Sequence, residues 1–454
     1  MKPERLGKIA DVIGGILTVP EAEAVYARGV STDSRTIRPG EIFFAIKGVR
    51  DGHDFVADAC QKGAIAAVVS RKVDVDIPQI IVNDTLSALG KLASAYREAI
   101  APRVVAVTGS VGKTTTRQMI AAVLREKFSV HSARRNFNNL IGLPLTLLDM
   151  PGDTRVAVVE LGINQFGEME KLARIAKPDV AVITHIAPVH TEGLGDLDSI
   201  ADEKLKVVDF LPSDGVVVLN ADSPHLRERA QKINRRVVTY AVNSPADFVA
   251  TDVEFDNGRP SFRIDGLRVR LNLLGLPAVY SALAAFAVGT ELGIPPKICA
   301  EALESVLPAP HRMEILALGS IKVLDDSYNS SPAALTESLN TMELIDSGRK
   351  VVVLGDMLEL GDFAERYHRE AGREIARRNI DVALLFGELM GYAAEELSSA
   401  NFGGKFLHTT DFDEAARFLR ENIAPGDLVL VKGSHGLEMI KFVEMMKKWL
   451  SGEK

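Results

Sequence analysis

The chain has 454 residues, of which 46% are hydrophobic and 25% are charged, a composition typical of a globular protein with two or three domains. Its net charge of −8, without a basic block, argues against nucleic acid or an anionic membrane as partner, and no run of about 18 apolar residues predicts membrane insertion. The two widely spaced cysteines, Cys60 and Cys299, argue against a disulfide framework or a zinc site and favour a reducing compartment, so we expect a cytoplasmic protein.

The first predicted unit, residues 1–100, alternates short helices and strands around two polar segments. Helices are expected at 6–13, 54–62 and 86–99, and strands at 41–46 and 66–69. The polar segments are Ser31-Thr-Asp-Ser-Arg35 and Lys47-Gly-Val-Arg-Asp-Gly-His53. Turn chemistry explains their Asp and Gly residues but not their basic side chains, so a turn and a ligand site remain equal alternatives for both segments.

The second predicted unit, residues 101–308, opens with the most specific motif of the chain, Thr108-Gly-Ser-Val-Gly-Lys-Thr-Thr115. The apolar run 104–107 predicts a buried strand, and a helical pattern begins at Lys113. A strand, a glycine loop and a helix N-terminus direct backbone N–H groups at one anion, so the motif predicts a phosphate-binding loop. In such a loop Lys113 reaches the outer phosphates and the Thr114 hydroxyl ligates Mg²⁺. The predicted nucleotide-binding residues here are Gly109, Ser110, Val111, Gly112, Lys113, Thr114 and Thr115.

Polar side chains follow the strands of this second unit. Strands expected at 104–107, 155–160, 180–184 and 216–219, with helices between them, predict a mostly parallel sheet. Ligands of such sheets bind at the carboxyl ends of the strands, where Glu160, His185 and His190 fall. We therefore expect Thr114, Glu160 and His190 to share a Mg²⁺ site. Taken singly, Glu160 is better explained as a solvated helix-capping carboxylate and His190 as a loop histidine; their shared edge beside the phosphate loop is what favours the metal site.

Two further segments of this unit have simpler patterns. The amide-rich segment Asn136-Phe-Asn-Asn139 supplies donors and acceptors that suit a polar substrate, although it also suits a plain turn. Residues 278–289 form an alanine-rich pattern that predicts a core helix.

The third predicted unit, residues 309–454, alternates strands and helices regularly. Strands are expected at 321–325, 351–354, 382–386, 405–407 and 428–431, and helices begin near 332, 363, 389, 411 and 437. This pattern predicts a Rossmann-like domain without the glycine motif of dinucleotide binding. Its polar strand-end loops, 325–329, 355–359 and 432–435, indicate a second ligand and an active site between domains. The predicted fold class is thus α/β in three domains.

Together the motifs resemble those of the Mur ligases, the ATP-dependent amino-acid ligases of peptidoglycan synthesis, over almost the whole chain. The matching segments are 31–35, 108–114, 136–142, 160–164, 167–168, 325–329, 354–361 and 431–434. The Asp-Asn-Pro-Arg signature of the diaminopimelate-adding members is absent from the sequence. Instead, Leu354-Gly-Asp-Met-Leu-Glu-Leu-Gly361 resembles the members that add D-alanyl-D-alanine.

The resemblance implies a small N-terminal UDP-binding domain, a central ATP-binding domain and a C-terminal ligase domain. It implies two Mg²⁺ ions and a carbamylated Lys204, a residue that its charged helix alone would place in solvent. The implied metal ligands are Thr114, Glu160, His190 and Lys204, and the implied catalytic residues are Lys113, Glu160, His190 and Lys204. The residues implied at the γ-phosphate and ribose are Arg312 and Asp326. The implied substrate-binding residues are Ser34, Arg35, Lys47, His53, Asn136, Asn138, Asn139, Tyr328 and Asn329.

The implied reaction joins D-Ala-D-Ala to UDP-N-acetylmuramoyl-tripeptide through an acyl phosphate, and we expect a monomer with domain movement at linkers near 100 and 309. Alternatives are a Mur ligase that adds a diamino acid, a folylpolyglutamate synthase, and a nucleotide-binding switch. The UDP-type domain argues against the folate enzyme, and the absence of a guanine-reading Asn-Lys-x-Asp motif argues against the switch. The chain departs from the family at Pro277, Ala278 and Ser281, where adenine contacts are usual, and at His185, where asparagine is usual.

Overall fold

The computed structural model describes residues 1–133 and 136–451, and its first 100 residues form a small α/β unit. The elements are β1 (Glu4–Arg5), α1 (Leu6–Ile13), β2 (Ile16–Leu17), β3 (Tyr26–Ala27), β4 (Gly29–Ser31), β5 (Glu41–Phe44), α2 (Val56–Gln61), β6 (Ala66–Val69), β7 (Gln79–Ile81) and α3 (Thr85–Ile100). The sheet has the order β2-β7-β6-β5-β4; β2 is antiparallel to β7 and the other neighbours are parallel. All of β6 is buried, because alternate residues enter hydrophobic clusters on opposite faces.

The second unit is larger and contains a parallel sheet followed by a small antiparallel one. Its first elements are β8 (Arg103–Thr108), α4 (Lys113–Arg125), β9 (Val130–Ser132), α5 (Gly142–Leu148), β10 (Val156–Glu160), α6 (Glu168–Ala176), β11 (Val180–Ile183), α7 (Thr191–Leu194) and α8 (Leu197–Leu205). They are followed by β12 (Val216–Asn220), α9 (Pro224–Ala230), β13 (Arg236–Ala241), β14 (Phe248–Val249), β15 (Thr251–Asp256), β16 (Arg259–Ile264), β17 (Leu267–Arg270), α10 (Gly275–Glu291) and α11 (Pro296–Glu304).

The parallel sheet has the order β14-β13-β12-β11-β8-β10-β9, with β8 in its interior. Val104 and Ala106 of β8 enter the hydrophobic cluster on one face, and Val105 and Val107 enter the cluster on the other. This two-sided burial explains the unbroken apolar run in the sequence. Because the strand order changes direction at β8, a crevice forms beyond its carboxyl end, which is where open α/β sheets bind ligands.

Part of the second unit is not predicted by its sequence pattern. The pattern indicates neither β9 nor the strands from β13 to β17; in β15 and β17 charged residues alternate with single apolar ones. Strands β15, β16 and β17 form an antiparallel sheet whose Phe262 and Ile264 pack in the same cluster as the alanines of α10. The predicted core helix at 278–289 is confirmed as part of α10, which is buried along most of its length.

The third unit consists of β18 (Glu314–Leu318), β19 (Ile321–Asp326), α12 (Pro332–Glu343), β20 (Lys350–Gly355), α13 (Ala364–Ala376), β21 (Val382–Phe386), α14 (Met390–Ser399), β22 (Lys405–Thr409), α15 (Phe412–Asn422), β23 (Leu428–Lys432) and α16 (Ile440–Ser451). Its sheet has the order β18-β19-β23-β20-β21-β22. Strand β18, which the pattern does not predict, is antiparallel to β19, and the other neighbours are parallel. The predicted fold class, three α/β domains with mostly parallel sheets, is confirmed.

The first and second units share one hydrophobic cluster, whereas a short exposed segment leads into the third. Leu6 and Leu89 of the first unit lie in the same buried cluster as Val104 and Leu147 of the second. By contrast, Leu307, before the third unit, is 68% exposed. The predicted movable linker near 100 therefore lies beside a packed apolar interface, which opposes relative motion there. None of the helices within the described ranges is long and apolar enough to cross a lipid bilayer.

Candidate active site between the second and third domains

The glycine loop lies between the end of β8 and the start of α4. Gly109 has a φ of +143°, and a Cβ there would lie 2.0 Å from Oγ1 of Thr184, so no other residue fits without displacing the neighbouring loop. The loop is held to the segment after β11, because the Ser110 N–H donates to the carbonyl of His185 at 2.7 Å. Nζ of Lys113 donates to the carbonyls of Gly109 and Ser110 at 2.9 and 3.0 Å. A glycine loop that leads into a helix N-terminus is the arrangement that binds a phosphate chain through backbone N–H groups.

Glu160, the last residue of β10, lies beside the start of α4 and is 2% exposed. Its Oε2 accepts a hydrogen bond from the Thr114 hydroxyl at 3.0 Å and lies 3.6 Å from Nε of Arg117. Its Oε1 accepts from Nδ2 of Asn138 at 2.9 Å. Three segments that are distant in sequence therefore meet at this carboxylate.

Positive charge exceeds negative charge around Glu160. Burial lowers the pKa of Lys113. The charge of Arg312 also lowers this pKa, whereas the charge of Glu160 partly opposes the shift. Burial also lowers the pKa of Arg117, and the charge of Arg312 lowers it further. Arg312 belongs to the segment entering the third domain, so that domain directs a cation at the phosphate loop. Cations gathered around a single carboxylate create a positive potential that favours a polyanionic ligand.

Lys204 is 1% exposed and lies near the end of α8, rather than facing solvent as its charged helix would suggest. Burial, and then the charge of Lys113, hold its pKa well below the usual value. Its Nζ makes no hydrogen bond to the residues described here. The adjacent Glu203 is equally buried, and its Oε1 accepts from the Gly167 N–H at 2.8 Å. A lowered pKa favours the unprotonated amine, which is the form of lysine that reacts with carbon dioxide.

His190 lies at the boundary between the second and third domains, before α7. Its Nδ1 is hydrogen-bonded to Oε2 of Glu359, and this contact lowers the pKa of Glu359. Within the described ranges, no hydrogen bond or ion pair joins His190 to Thr114, Glu160 or Lys204. Residues 1–133 and 136–451 also contain no group of three or more His, Cys, Asp or Glu side chains placed to hold a metal. Of the predicted metal ligands, only Glu160 and His190 are of these residue types. The other two are the hydroxyl of Thr114 and the amine of Lys204.

The third domain contributes a stack of three side chains and a carboxylate whose oxygens already accept hydrogen bonds. The Arg312 guanidinium lies 4.0 Å from the ring centroid of Tyr328, and the His435 ring packs 5.3 Å from the same ring. Asp326 accepts from the Lys432 ammonium at 2.5 Å and from the Ser338 hydroxyl at 2.7 Å. These contacts make Asp326 an anchor for the strand-end loop, so a ribose would have to share its oxygens. Beside it, Asn329 accepts at its carbonyl from Lys432 and at Oδ1 from the His435 N–H.

The predicted substrate residues of the first domain differ in exposure. Arg35 is exposed and paired with Asp33, and Lys47 is exposed in the loop after β5. Ser34 is buried, at 5% exposure. His53 is 4% exposed: Nδ1 bonds Asp51 at 2.6 Å and Nε2 accepts from the Ser70 N–H at 2.9 Å. With both ring nitrogens occupied, His53 stabilises the local fold, and the expectation that it binds substrate is not supported by this geometry.

The asparagines of the predicted amide-rich segment have two different roles. Asn138 donates to Glu160 and also to Oδ1 of Asn136 at 2.7 Å, so these two amides belong to the site. Oδ1 of Asn139 instead accepts from the N–H groups of Ile141 and Gly142, which stabilises the turn that leads into α5. Oδ1 of Asn139 thus has a structural role, and a substrate contact by its amide stays a prediction.

The departures from the family pattern on α10 have a structural reading. Ser281 is buried; its Oγ accepts from the Thr116 hydroxyl at 3.1 Å and donates to the Pro277 carbonyl at 3.0 Å. Ser281 therefore joins α10 to α4.

His185, the other departure from the family pattern, lies beside the phosphate loop. Burial lowers the pKa of His185, and Asp222 and His225 lie nearby.

A cleft of about 390 Å³ opens beside this boundary. Pro188, two residues before His190, lines one side, and Met357, two residues before Glu359, lines another. Helices α12 and α13 complete it with apolar and charged side chains, including Ala333, Tyr367, Glu370, Arg373 and Glu374. A cleft with both charge signs suits a small zwitterion.

Sequence reasoning did not identify several residues that contact the site. Arg117 follows Lys113 by four residues on α4, and this helical spacing was an available signal. Lys432 lies in a strand-end loop that the sequence analysis singled out, but its contact with Asp326 was not predicted. The pairing of Glu359 with His190 joins residues 169 positions apart, and no local pattern indicates it.

Comparison with known protein families supports one assignment across the chain. The family described as "Mur ligase family, catalytic domain" matches residues 27–123, "Mur ligase middle domain" matches 107–289, and "Mur ligase, glutamate ligase domain" matches 311–435. The UDP-N-acetylmuramoyl-tripeptide–D-alanyl-D-alanine ligase of Bacillus subtilis (strain 168) is 37% identical over 445 residues, covering 96% of each chain. The Escherichia coli (strain K12) enzyme of the same name is 33% identical over 456 residues, covering 98% of each.

Solved structures agree with these sequence matches. A crystal structure of MurF from Acinetobacter baumannii superimposes with a TM-score of 0.90 at 28% identity, covering 98% of this chain and 99% of that one. MurF ligase from Thermotoga maritima in complex with ADP superimposes with a TM-score of 0.83 at 27% identity, covering 94% and 99%.

Proposed function

The chain belongs to the Mur ligase family, and from this membership we infer that it is an ATP-dependent ligase that adds D-alanyl-D-alanine to UDP-N-acetylmuramoyl-tripeptide. The products are the UDP-MurNAc-pentapeptide precursor of peptidoglycan, ADP and phosphate. The observation that carries this conclusion is the 37% identity to a ligase of that specificity across 96% of both chains. The ADP complex of the Thermotoga maritima relative supports ATP as the nucleotide.

The chemistry requires that the tripeptide carboxylate be activated, because its oxygen is a poor leaving group. The carboxylate oxygen attacks the γ-phosphorus of ATP, ADP departs, and the acyl phosphate that forms has phosphate as its leaving group. The amine of D-Ala-D-Ala then attacks the acyl carbon, the tetrahedral intermediate expels phosphate, and the amine loses a proton. Lys113, at the phosphate loop, and Arg312, from the third domain, would stabilise charge on the transferring phosphoryl group. The resulting site lies between domains, which helps to exclude water from the acyl phosphate.

We further propose that the ATP site binds two Mg²⁺ ions, the number that the family resemblance implies. The donor chemistry fits, since Thr114 and Glu160 supply adjacent oxygen atoms and carbamylation of Lys204 would add a third oxygen ligand. His190 would join through its free ring nitrogen. When bound, Mg²⁺ supplies charge neutralisation at the phosphates. The burial of Lys204 and its low pKa support carbamylation, because a neutral amine adds to carbon dioxide.

The three domains have separate proposed substrates. Residues 1–100 would hold the UDP of the precursor, with Ser34, Arg35 and Lys47 as candidate contacts. Residues 101–308 would bind ATP, and residues 309–454 would complete the site with Tyr328 and Asn329. For the acceptor dipeptide we propose the cleft between Pro188 and helices α12 and α13, because it adjoins the His190–Glu359 contact and offers both charge signs to a zwitterion. We propose a cytoplasmic monomer that acts on small molecules rather than on nucleic acid or membrane.

The deciding experiment measures phosphate release from ATP in the presence of UDP-MurNAc-tripeptide, with D-Ala-D-Ala, D-Ala, or no acceptor. Release that requires D-Ala-D-Ala, with the pentapeptide precursor as product, is expected. A parallel reaction supplies the dipeptide precursor with lysine or diaminopimelate. Phosphate release in that reaction alone would identify the enzyme as the ligase of the preceding, diamino-acid-adding step. Absence of phosphate release in every reaction would contradict the ligase assignment.

A further inference from the structure

We propose that Glu359 is a positioning residue, which orients the imidazole of His190 toward the metal of the ATP site from across the domain boundary. The inference rests on the proposed function, because that function makes His190 a metal ligand. Its basis is the hydrogen bond between Nδ1 of His190 and Oε2 of Glu359.

The chemistry of this hydrogen bond selects one form of the ring. A carboxylate oxygen only accepts, so Nδ1 of His190 carries the proton. In the neutral ring the lone pair is then on Nε2, which makes no hydrogen bond within the described part of the chain. Metal-binding imidazoles usually show this arrangement, with one nitrogen on the metal and the other N–H on a carboxylate that fixes tautomer and orientation. The contact therefore presents His190 in the form that a metal requires.

The backbone on both sides holds the two side chains together. His190 has a φ of +52° and Glu359 a φ of +63°, left-handed conformations that residues with a Cβ rarely adopt. Such conformations persist where neighbouring contacts stabilise them. Here the Thr191 hydroxyl donates to the Leu360 carbonyl at 2.9 Å, and the Glu192 N–H donates to the Glu359 carbonyl at 3.4 Å. Side-chain and backbone contacts thus join the two loops at consecutive positions.

The two residues belong to different domains, and this gives the contact a consequence for metal binding. His190 follows β11 in the second domain, and Glu359 follows β20 in the third. Movement of the third domain away from α7 would withdraw the carboxylate and leave the ring free to turn. Orientation of His190 is therefore coupled to docking of the third domain, so the metal site reaches full affinity only when the domains are together.

The test uses Mn²⁺ as the probe, with the full-length protein and a non-hydrolysable ATP analogue, and it measures Mn²⁺ affinity and nitrogen hyperfine coupling by electron paramagnetic resonance. We expect Glu359→Ala to lower Mn²⁺ affinity by about 10- to 100-fold and to weaken the nitrogen coupling. Glu359→Gln, whose amide oxygen still accepts from Nδ1–H, should restore most of both signals. Glu192→Ala, the loss of an exposed neighbouring acid, is the matched control and should change neither.

Two further variants separate orientation of the ring from docking of the domains. Thr191→Val removes the hydroxyl that contacts Leu360 but leaves the carboxylate in place, so it should have a much smaller effect than Glu359→Ala. In a His190→Ala background, Glu359→Ala should cause no additional loss of affinity. An equal loss in Thr191→Val, an additive loss with His190→Ala, or unchanged Mn²⁺ binding in Glu359→Ala would each overturn the proposal. Absence of nitrogen coupling in the unmodified protein would overturn it too, while the phosphate-release assay tests the ligase function separately.

Discussion

The hydroxyl of Thr114 donates a hydrogen bond to Oε2 of Glu160 at 3.0 Å, which connects the first turn of α4 to the carboxyl end of β10. Parallel strands β8 and β10 are neighbours in the sheet, so the loops that follow them emerge side by side. A residue of the phosphate loop and an acidic residue 46 positions later are therefore adjacent because of strand order. The same order brings the cations of α4 to the acid.

We predict that Glu160→Gln lowers kcat by about 100-fold or more, on the scale of losing one electrostatic group at a reacting phosphoryl centre. The amide preserves size and can still accept from Asn138 at 2.9 Å, so folding should be retained. Steady-state kinetics with varied Mg²⁺ is the measurement, and the apparent KM for Mg²⁺ should rise. Glu170→Gln, an exposed acid on α6, is the control. Similar kinetics for the two variants would contradict a metal-binding role for Glu160.

Lys204 and Lys206 provide a matched pair for testing the buried amine. Lys204 is 1% exposed, whereas the Lys206 side chain is 45% exposed and pairs with Glu203. We expect Lys204→Gln to lose at least about 100-fold in kcat, a loss on the scale of a missing catalytic group, and Lys206→Gln to remain close to the unmodified enzyme. Nuclear magnetic resonance of protein equilibrated with ¹³C-bicarbonate should show a carbamate signal that disappears in Lys204→Gln alone. A signal that survives in Lys204→Gln would place the modification elsewhere.

His368 gives a prediction for stability against pH. Its ring is fully buried on α13, with Nε2 accepting from the Met357 N–H at 3.0 Å and Nδ1 bonded to the Ala364 carbonyl at 2.7 Å. Burial lowers its pKa below the unfolded value of about 6.5. As pH falls below that value, the unfolded chain binds a proton that the native ring does not, so the free energy of unfolding decreases.

Urea titrations followed by fluorescence between pH 7.5 and 5, about the range in which an unfolded histidine titrates, would measure this effect. His368→Gln should reduce the loss of stability on acidification, while costing roughly 1–3 kcal/mol at neutral pH through the altered buried hydrogen bonds. An unchanged pH slope in the variant would show that other groups control acid stability.

Domain motion should be confined to the junction that precedes the third domain. The first and second domains share a buried cluster that includes Leu89 and Val104, whereas Leu307 lies on an exposed connection. Fluorophores on the second and third domains should change their transfer efficiency when ATP analogue and tripeptide precursor bind. A matched pair on the first and second domains should show little change. A large change in this second pair would indicate that the shared core separates.

The proposed dipeptide cleft is tested by filling it. Ala333→Leu adds three carbon atoms to the wall formed by α12, within a volume of about 390 Å³. We expect KM for D-Ala-D-Ala to rise roughly 10- to 100-fold, a cost of about 1–3 kcal/mol for a mismatch of this size, with KM for ATP unchanged. Ala334→Leu, the neighbouring position on the same helix, is the control because Ala334 does not line the cleft. Equal acceptor KM values would exclude this location.

Local pattern was sufficient for the phosphate loop and for the buried strands, because a β-branched run, two glycines and a helix start are encoded in consecutive residues. It was insufficient for Lys204, since α8 is charged in sequence and is buried by tertiary packing. It also misjudged His53, which resembles a ligand residue but completes a network with Asp51 and Ser70. The contact of His190 with Glu359 depends on how two domains dock, and no segment of the chain encodes that alone.

The position of β23 has a consequence for biosynthesis. This strand is the last to emerge from the ribosome, yet it lies between β19 and β20. The sheet of the first domain, by contrast, needs nothing beyond β7 at Gln79–Ile81. A nascent chain can thus form the sheet of its first domain early. Until residue 432 has been synthesised, however, β19 and β20 lack the strand that joins them and expose apolar edges. Termination inside the third domain, after β19 and β20 but before β23, would therefore leave an aggregation-prone product, so a late nonsense mutation should be damaging even though most of the chain has been made.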